Sequence, residues 1–147
     1  MGIHYEEYHS PIAQRLLQDV IDAVEATPAE FLRRGSPLDT SGNMCAIGCY
    51  AYAHDPEFRA YAASLQDTPE SYESPVDHNQ INELVELAYD LIKDQYVSTS
   101  WIYLANDSSL PYSAEDIESE TPDQRKENIL RYLRALLTPP TSVPSIL

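Results

Sequence analysis

Five dipeptides in this chain place a helix-capping side chain directly before a proline, and this pattern strongly constrains the fold. They are Ser10-Pro11, Thr27-Pro28, Asp55-Pro56, Thr68-Pro69 and Thr121-Pro122. Ser, Thr and Asp side chains accept hydrogen bonds from the free N–H groups of a first helical turn, and proline is favoured at the first helical position. Thr27–Glu30 and Thr121–Gln124 also have the spacing of a capping box. The pattern predicts a mainly helical chain.

Apolar residues between these starts recur with the helical period of 3.6 residues. The clearest stripe spans residues 81–92, and another spans residues 12–24. Residues 44–53 form a compact apolar segment, which we predict to be a buried helix. The predicted core comprises Leu16, Leu17, Val20, Ile47, Leu84, Val85, Ala88, Leu91, Leu130 and Leu133.

The remaining segments are predicted to be connections. Residues 35–43 are rich in turn formers, which favours a loop or small hairpin. Residues 97–104 have the alternating pattern of a short strand or extended segment. We therefore expect one mainly α domain of five or six helices over residues 1–137, with at most a short hairpin or strand. Residues 138–147 contain three prolines and no charge, which predicts an extended Pro-rich C-terminal tail. This tail is a candidate for self-association, and packing on its own domain is the alternative.

The chain of 147 residues has a formal net charge of −15, and its acidic residues are concentrated in one part. Residues 60–124 hold 14 of the 24 acidic side chains but one basic side chain, Lys93. A surface of this sign repels phosphate, which argues against direct nucleic-acid binding and favours a basic protein partner. The alternative is that the charge only keeps the protein in solution.

Apolar runs in the chain are shorter than the roughly 20 residues that a membrane span needs. Residues 1–7 are acidic and lack the apolar stretch of a signal peptide. We therefore expect no membrane association and a cytoplasmic location.

Tyrosine dominates the aromatic residues, with 11 tyrosines against two phenylalanines and one tryptophan. A tyrosine has an apolar ring and a polar hydroxyl, so it suits a binding surface or the rim of a core. An acidic, Tyr-bearing surface is the predicted binding site for a protein partner. Its candidate residues are Tyr103, Asp107, Tyr112, Glu115, Asp116 and Glu118.

Cys45 and Cys49 are four residues apart in a predicted helix, hence on one face. A disulfide within one helical turn has unfavourable geometry, and a metal would need two further ligands, so we expect neither a metal nor a cofactor. Burial in the core is the favoured interpretation. The alternative is a small hydrolase, because a helix N-terminus beside Cys45 would lower the pKa of its thiol. Its base and orienting group would come from His54, His78, Asn106 and Asp107.

Cys45-Ala46-Ile47-Gly48, with Asn106-Asp107 further along, resembles the motif pair of an uncharacterised family of small actinobacterial and phage proteins. That family carries W-C-x-x-G-A-L and W-N-D motifs, and the resemblance extends over residues 12–137. This chain departs from the pattern, because Met44 replaces an aromatic residue before the cysteine and Trp101 lies five residues before Asn106. The resemblance implies a shared fold and a phage origin, but no activity. It also implies a structural motif of Cys45, Gly48, Asn106 and Asp107, in which the Asn-Asp pair hydrogen-bonds the loop beside the cysteine.

These observations favour a non-enzymatic protein-interaction module. We expect a phage or mobile-element accessory protein that presents its acidic, Tyr-bearing surface to a host protein or virion component. It would act in the host cytoplasm or in the virion. Besides the cysteine hydrolase, a nucleic-acid mimic is an alternative, in which carboxylates replace phosphates in the groove of a DNA- or RNA-binding protein.

Overall fold

The computed structural model describes residues 10–67, 77–95, 97–108 and 120–137. Within these residues the chain forms six α-helices and a short 3-10 helix, and no strand. The elements are α1 (Pro11–Ala26), the 3-10 helix (Ala29–Phe31), α2 (Ala46–His54), α3 (Pro56–Gln66), α4 (His78–Lys93), α5 (Ser100–Ser108) and α6 (Pro122–Ala135). Leu32 and Met44 form an isolated parallel bridge in place of a hairpin. The predicted mainly α fold is confirmed.

Three of the predicted helix starts have the expected caps. The side chains of Ser10 and Asp55 each accept a hydrogen bond from the N–H group three residues later, at 3.2 and 2.8 Å. Thr121 and Gln124 form a reciprocal capping box at the start of α6. Thr68-Pro69 lies outside the described residues, as does the predicted tail of residues 138–147.

Thr27 ends α1 and does not begin the next helix. Its hydroxyl donates a hydrogen bond of 2.8 Å to the carbonyl oxygen of Ala23, one turn earlier. The 3-10 helix that follows has no side-chain cap, so the capping box predicted at Thr27 is wrong. A threonine hydroxyl can donate to the carbonyl oxygen four residues earlier, and it then satisfies one of the carbonyl groups in the last turn of the helix. Lys126 supports the same helix end, because its Nζ donates to the carbonyl oxygens of Glu25 and Thr27.

The short strand predicted for residues 97–104 is also wrong, because α5 occupies most of that stretch. The hydroxyl of Ser98 accepts a hydrogen bond from the N–H group of Ser100 at the helix start. Helix α5 packs against α2 and α6, and Ile102 is fully buried there. Strand propensity depends on context, and here packing against two helices outweighs it.

Helix α2 is the centre of the fold, since it packs against α1, α3, α4 and α5. Helices α1 and α6 are antiparallel neighbours: Lys126 near the start of α6 reaches the end of α1, and Gln14 near the start of α1 donates to the carbonyl oxygen of Leu136. Eight of the ten predicted core residues are buried, whereas Val85 and Leu91 are half-buried on α4. None of the helices in the described part of the chain combines the length and apolar character needed to cross a bilayer.

Candidate functional site

The first turn of α2 is capped by a residue from a distant helix. Cys45 is the N-cap residue of α2, but its side chain makes no capping hydrogen bond. Instead, the N–H group of Ala46 donates a hydrogen bond of 2.9 Å to Oδ1 of Asn106, a fully buried residue on α5. The Nδ2 group of Asn106 donates to the carbonyl oxygen of Arg33 at 3.3 Å. The side-chain amide of Asn106 therefore joins α5 to the start of α2 and to the preceding loop. These contacts place Asn106 next to the backbone beside Cys45.

Gly48 allows that loop to pass directly over α2. A Cβ atom at this position would lie 1.9 Å from the carbonyl oxygen of Pro37 and 2.9 Å from Cβ of Met44. Only glycine fits so close a backbone contact. The structure thus places Cys45, Gly48 and Asn106 around one helix start, while the side chain of Asp107 lies outside the described part.

A buried ion cluster that the sequence analysis missed lies next to Asn106. The guanidinium of Arg34 donates to both carboxylate oxygens of Glu120, at 3.2 and 2.8 Å, and to the carbonyl oxygen of Asn106. Arg125 and Asn128, both on α6, also donate to the carboxylate, at 3.4 and 3.2 Å. We call Arg34, Glu120, Arg125 and Asn128 the Glu120 cluster.

The carboxylate of Glu120 remains charged in this cluster although its side chain is only 2% exposed. Burial alone would raise its pKa. Hydrogen bonds from Arg34 and Asn128, together with the positive charges of Arg34 and Arg125, outweigh burial and lower the pKa of Glu120 below its ordinary value. The cluster is a satisfied structural ion pair, because Arg34, Arg125 and Asn128 all donate to the carboxylate.

Arg34 also joins the two described parts of the chain on either side of the stretch 109–119. It contacts Asn106 near the end of α5 and Glu120 just before α6. The predicted binding residues Tyr112, Glu115, Asp116 and Glu118 lie in that stretch, outside the described residues. The two remaining members of the predicted surface lie on α5: Tyr103 is half-buried, and the side chain of Asp107 lies outside the described part.

Both cysteines are core residues, as the packing interpretation predicted. Cys45 is 0% exposed and Cys49 is 1% exposed, and neither forms a disulfide. Burial raises the pKa of Cys49 to about 12, although the hydroxyl of Thr27 partly offsets this effect. His54 is exposed at the opposite end of α2, where its ring lies 4.4 Å from that of Tyr50. A helix of this length separates it from Cys45 by about 13 Å, so it is not in position to act as a base.

Helix α4 carries an exposed acidic row in the described part of the chain. Glu83, Glu86 and Asp90 on α4, and Asp94 as its C-cap residue, follow one another at helical spacing, opposite the side that Leu84 and its neighbours bury. None of the four forms an ion pair with another described residue. We call these four residues the acidic stripe of α4.

The described residues therefore contain two features of functional interest. One is the buried centre formed by Asn106 and the Glu120 cluster, and the other is the acidic stripe of α4. No group of three or more potential metal-ligating side chains occurs within the described ranges. Comparison of the chain with family models, curated proteins and solved structures finds no match.

Proposed function

We propose that this protein is a non-enzymatic interaction module that presents an acidic, Tyr-bearing surface to a basic protein partner. The observation that carries this proposal is the acidic stripe of α4, whose carboxylates are exposed and have no ion-pair partner among the described residues. A row of like charges costs folding free energy through mutual repulsion, and a basic partner relieves that repulsion on binding. Tyr89 lies half-buried on the same helix, with Nζ of Lys93 at 5.6 Å from its ring centre.

The burial of the two cysteines supports a binding role over a catalytic one. A nucleophilic cysteine must reach its substrate as a thiolate, and a nearby base must hold its proton. Cys45 and Cys49 are both buried, and the raised pKa of Cys49 keeps that thiol protonated at neutral pH. The hydrolase alternative therefore has little support in the described part of the chain.

Arg34 supplies a second line of support. Because it contacts both Asn106 and Glu120, it joins the last turns of α5 to the described residue that follows the stretch 109–119. Binding segments are commonly held at both ends by an ordered scaffold. We include Asp107, Tyr112, Glu115, Asp116 and Glu118 in the proposed surface on this ground. The family resemblance adds the proposal that the protein serves a phage or mobile element, in the host cytoplasm or in the virion.

Removing the charge of the acidic stripe tests this function. The variant E83Q/E86Q/D90N/D94N keeps side-chain size and should lose the basic proteins that the wild-type chain retains from a host lysate. Retention by the wild-type chain should fall between 50 and 500 mM salt, conditions that we choose because exposed charges are screened at high ionic strength. The measurement is affinity capture followed by mass spectrometry at both salt concentrations.

The control variant D22N/E30Q/E57Q/E127Q removes the same number of exposed carboxylates elsewhere. It should retain the same proteins as the wild-type chain. Equal retention by the stripe variant would contradict the proposed surface. Capture confined to DNA- or RNA-binding proteins, with release by added DNA or RNA, would identify the surface as a nucleic-acid mimic.

A further inference from the structure

A pocket of about 380 Å³ opens between the end of α1, the 3-10 helix, α2 and α3. Its walls are mostly apolar, and Phe31, Met44 and Tyr52 supply the largest side chains. Sites of about 300–1,000 Å³ with such walls commonly hold small organic molecules. The two aromatic rings favour a flat, unsaturated ligand, because aromatic faces pack well on one another.

Arg59 is the one charged side chain among the described residues that line the pocket. Its Nε group donates to the carbonyl oxygen of Tyr52 at 2.8 Å, and one Nη group donates to that of Ala53 at 3.0 Å. These two bonds fix the guanidinium plane at the C-terminal end of α2. The second Nη group takes part in neither bond. An exposed guanidinium held in this way is preorganised to bind a carboxylate with charge-assisted hydrogen bonds.

Arg59 also differs from the arginines that form ion pairs in the described part of this acidic protein. Arg33, Arg34, Arg125 and Arg134 each form an ion pair, whereas Arg59 forms none with another described residue. The positive charge at the pocket therefore has no acidic partner within the described ranges. An anion supplied from outside the chain would complement it.

The other polar groups in the lining leave the interior without charge. The hydroxyl of Thr27 donates to Ala23, and Nε2 of Gln66 donates to the carbonyl oxygen of Gly42 at 2.9 Å. Cys49 contributes a protonated thiol, because burial raises its pKa to about 12. The pocket thus combines an apolar interior with one cation.

We propose that this pocket binds a small aromatic carboxylate, with the ring between Phe31 and Tyr52 and the carboxylate on the guanidinium of Arg59. The site is separate from the acidic stripe of α4, and it does not depend on the function proposed above. Three features select this ligand class over a neutral or a cationic one: the size of the pocket, its aromatic lining, and a positive charge that has no ion-pair partner among the described residues.

Calorimetric titration with 2-naphthoate and its neutral analogue 2-naphthamide tests the proposal. Naphthoate should bind saturably at one site, and naphthamide should bind at least tenfold more weakly because it lacks the charge-assisted contact. Arg59→Gln should weaken naphthoate binding at least tenfold and leave naphthamide binding unchanged. Ala53→Trp, which adds a large side chain to the pocket wall, should abolish binding of both compounds.

Arg15→Gln is the matched control, since it removes an exposed arginine of α1 that does not line the pocket. It should bind naphthoate as the wild-type chain does. Unchanged naphthamide binding by Arg59→Gln shows that the pocket remains intact in that variant. Three results would overturn the proposal: no saturable naphthoate binding, equal affinities for the two compounds, or equal losses in Arg59→Gln and Arg15→Gln.

Discussion

Some residues in this protein are required by tertiary contacts that their local sequence does not indicate. Glycine inside a helix normally destabilises it by about 0.5–1 kcal/mol relative to alanine. Gly48 occupies such a position in α2, but a Cβ atom there would lie 1.9 Å from the carbonyl oxygen of Pro37. The steric requirement of the loop therefore outweighs helix propensity at this residue.

Replacing Gly48 by alanine tests that conclusion by the sign of the effect. Helix propensity alone predicts that alanine stabilises the protein, whereas overpacking against the loop predicts that the free energy of unfolding falls by about 3 kcal/mol. We expect the loss, measured as the free energy of unfolding in urea. Gly35→Ala is the comparison, because a Cβ there meets only Arg33 at 3.7 Å and the cost is limited to about 1–2 kcal/mol for its φ of 101°. A Gly48→Ala protein as stable as the wild type would contradict the observed loop contact.

At the scale of single elements, local signals predicted helix starts correctly where the capping side chain bonds to the helix that follows it. Ser10, Asp55 and Thr121 are of this kind, since each caps the turn that follows it. Thr27 has the same sequence signal but bonds backwards to α1, and local sequence contains nothing that distinguishes the two choices. Residues 97–104 were mispredicted because their conformation depends on contacts of α5 with two other helices.

Helix α4 buries Leu84 against the core, which a leucine variant can test against an exposed leucine of α5. Leu84 is 2% exposed, so Leu84→Ala should cost about 2–5 kcal/mol of unfolding free energy. Leu104 on α5 is 58% exposed, and Leu104→Ala should change stability by less than about 0.5 kcal/mol. Thermal or urea unfolding of both variants measures the difference. Similar losses in the two variants would show that α4 is not packed as described.

At the scale of the whole molecule, polar contacts join segments that are distant in sequence. Asn106 and Ala46 are 60 residues apart, and Arg34 and Glu120 are 86 residues apart. The resemblance pointed to Asn106, but no pattern in the sequence indicated which backbone group it bonds. Glu120 was counted with the surface acids, because its burial depends on Arg34, 86 residues earlier, as well as on side chains of α6. Tertiary pairing of this kind was the part of the site that could not be predicted.

The Glu120 cluster makes stability depend on pH in a defined direction. The folded-state pKa of Glu120 is lowered from its ordinary value of 4.5, so the charged carboxylate stabilises the fold above that pH. Its contribution is lost as the pH falls through the lowered folded-state value. Glu120→Gln should therefore cost about 3 kcal/mol at pH 7, where a buried partner of Arg34 is removed. Below about pH 4.5 its difference from the wild type should shrink.

Urea unfolding at several pH values between 7 and 3.5 measures that difference. Glu127→Gln is the control, because it removes an exposed carboxylate from the same helix and should follow the wild-type curve. If the difference between Glu120→Gln and the wild type is the same at every pH, the charge of Glu120 does not contribute to stability.

The antiparallel contact of α1 with α6 has a consequence for how the chain is made. About 95 residues separate the end of α1 at Ala26 from the start of α6 at Pro122. At about 5–20 residues per second, a ribosome needs about 5–20 s to synthesise them. Helix α1 therefore leaves the ribosome long before the helix that covers one of its sides. During that interval its apolar stripe is exposed to water, to chaperones and to other nascent chains. The rate of translation therefore sets the earliest time at which α6 can pack against α1.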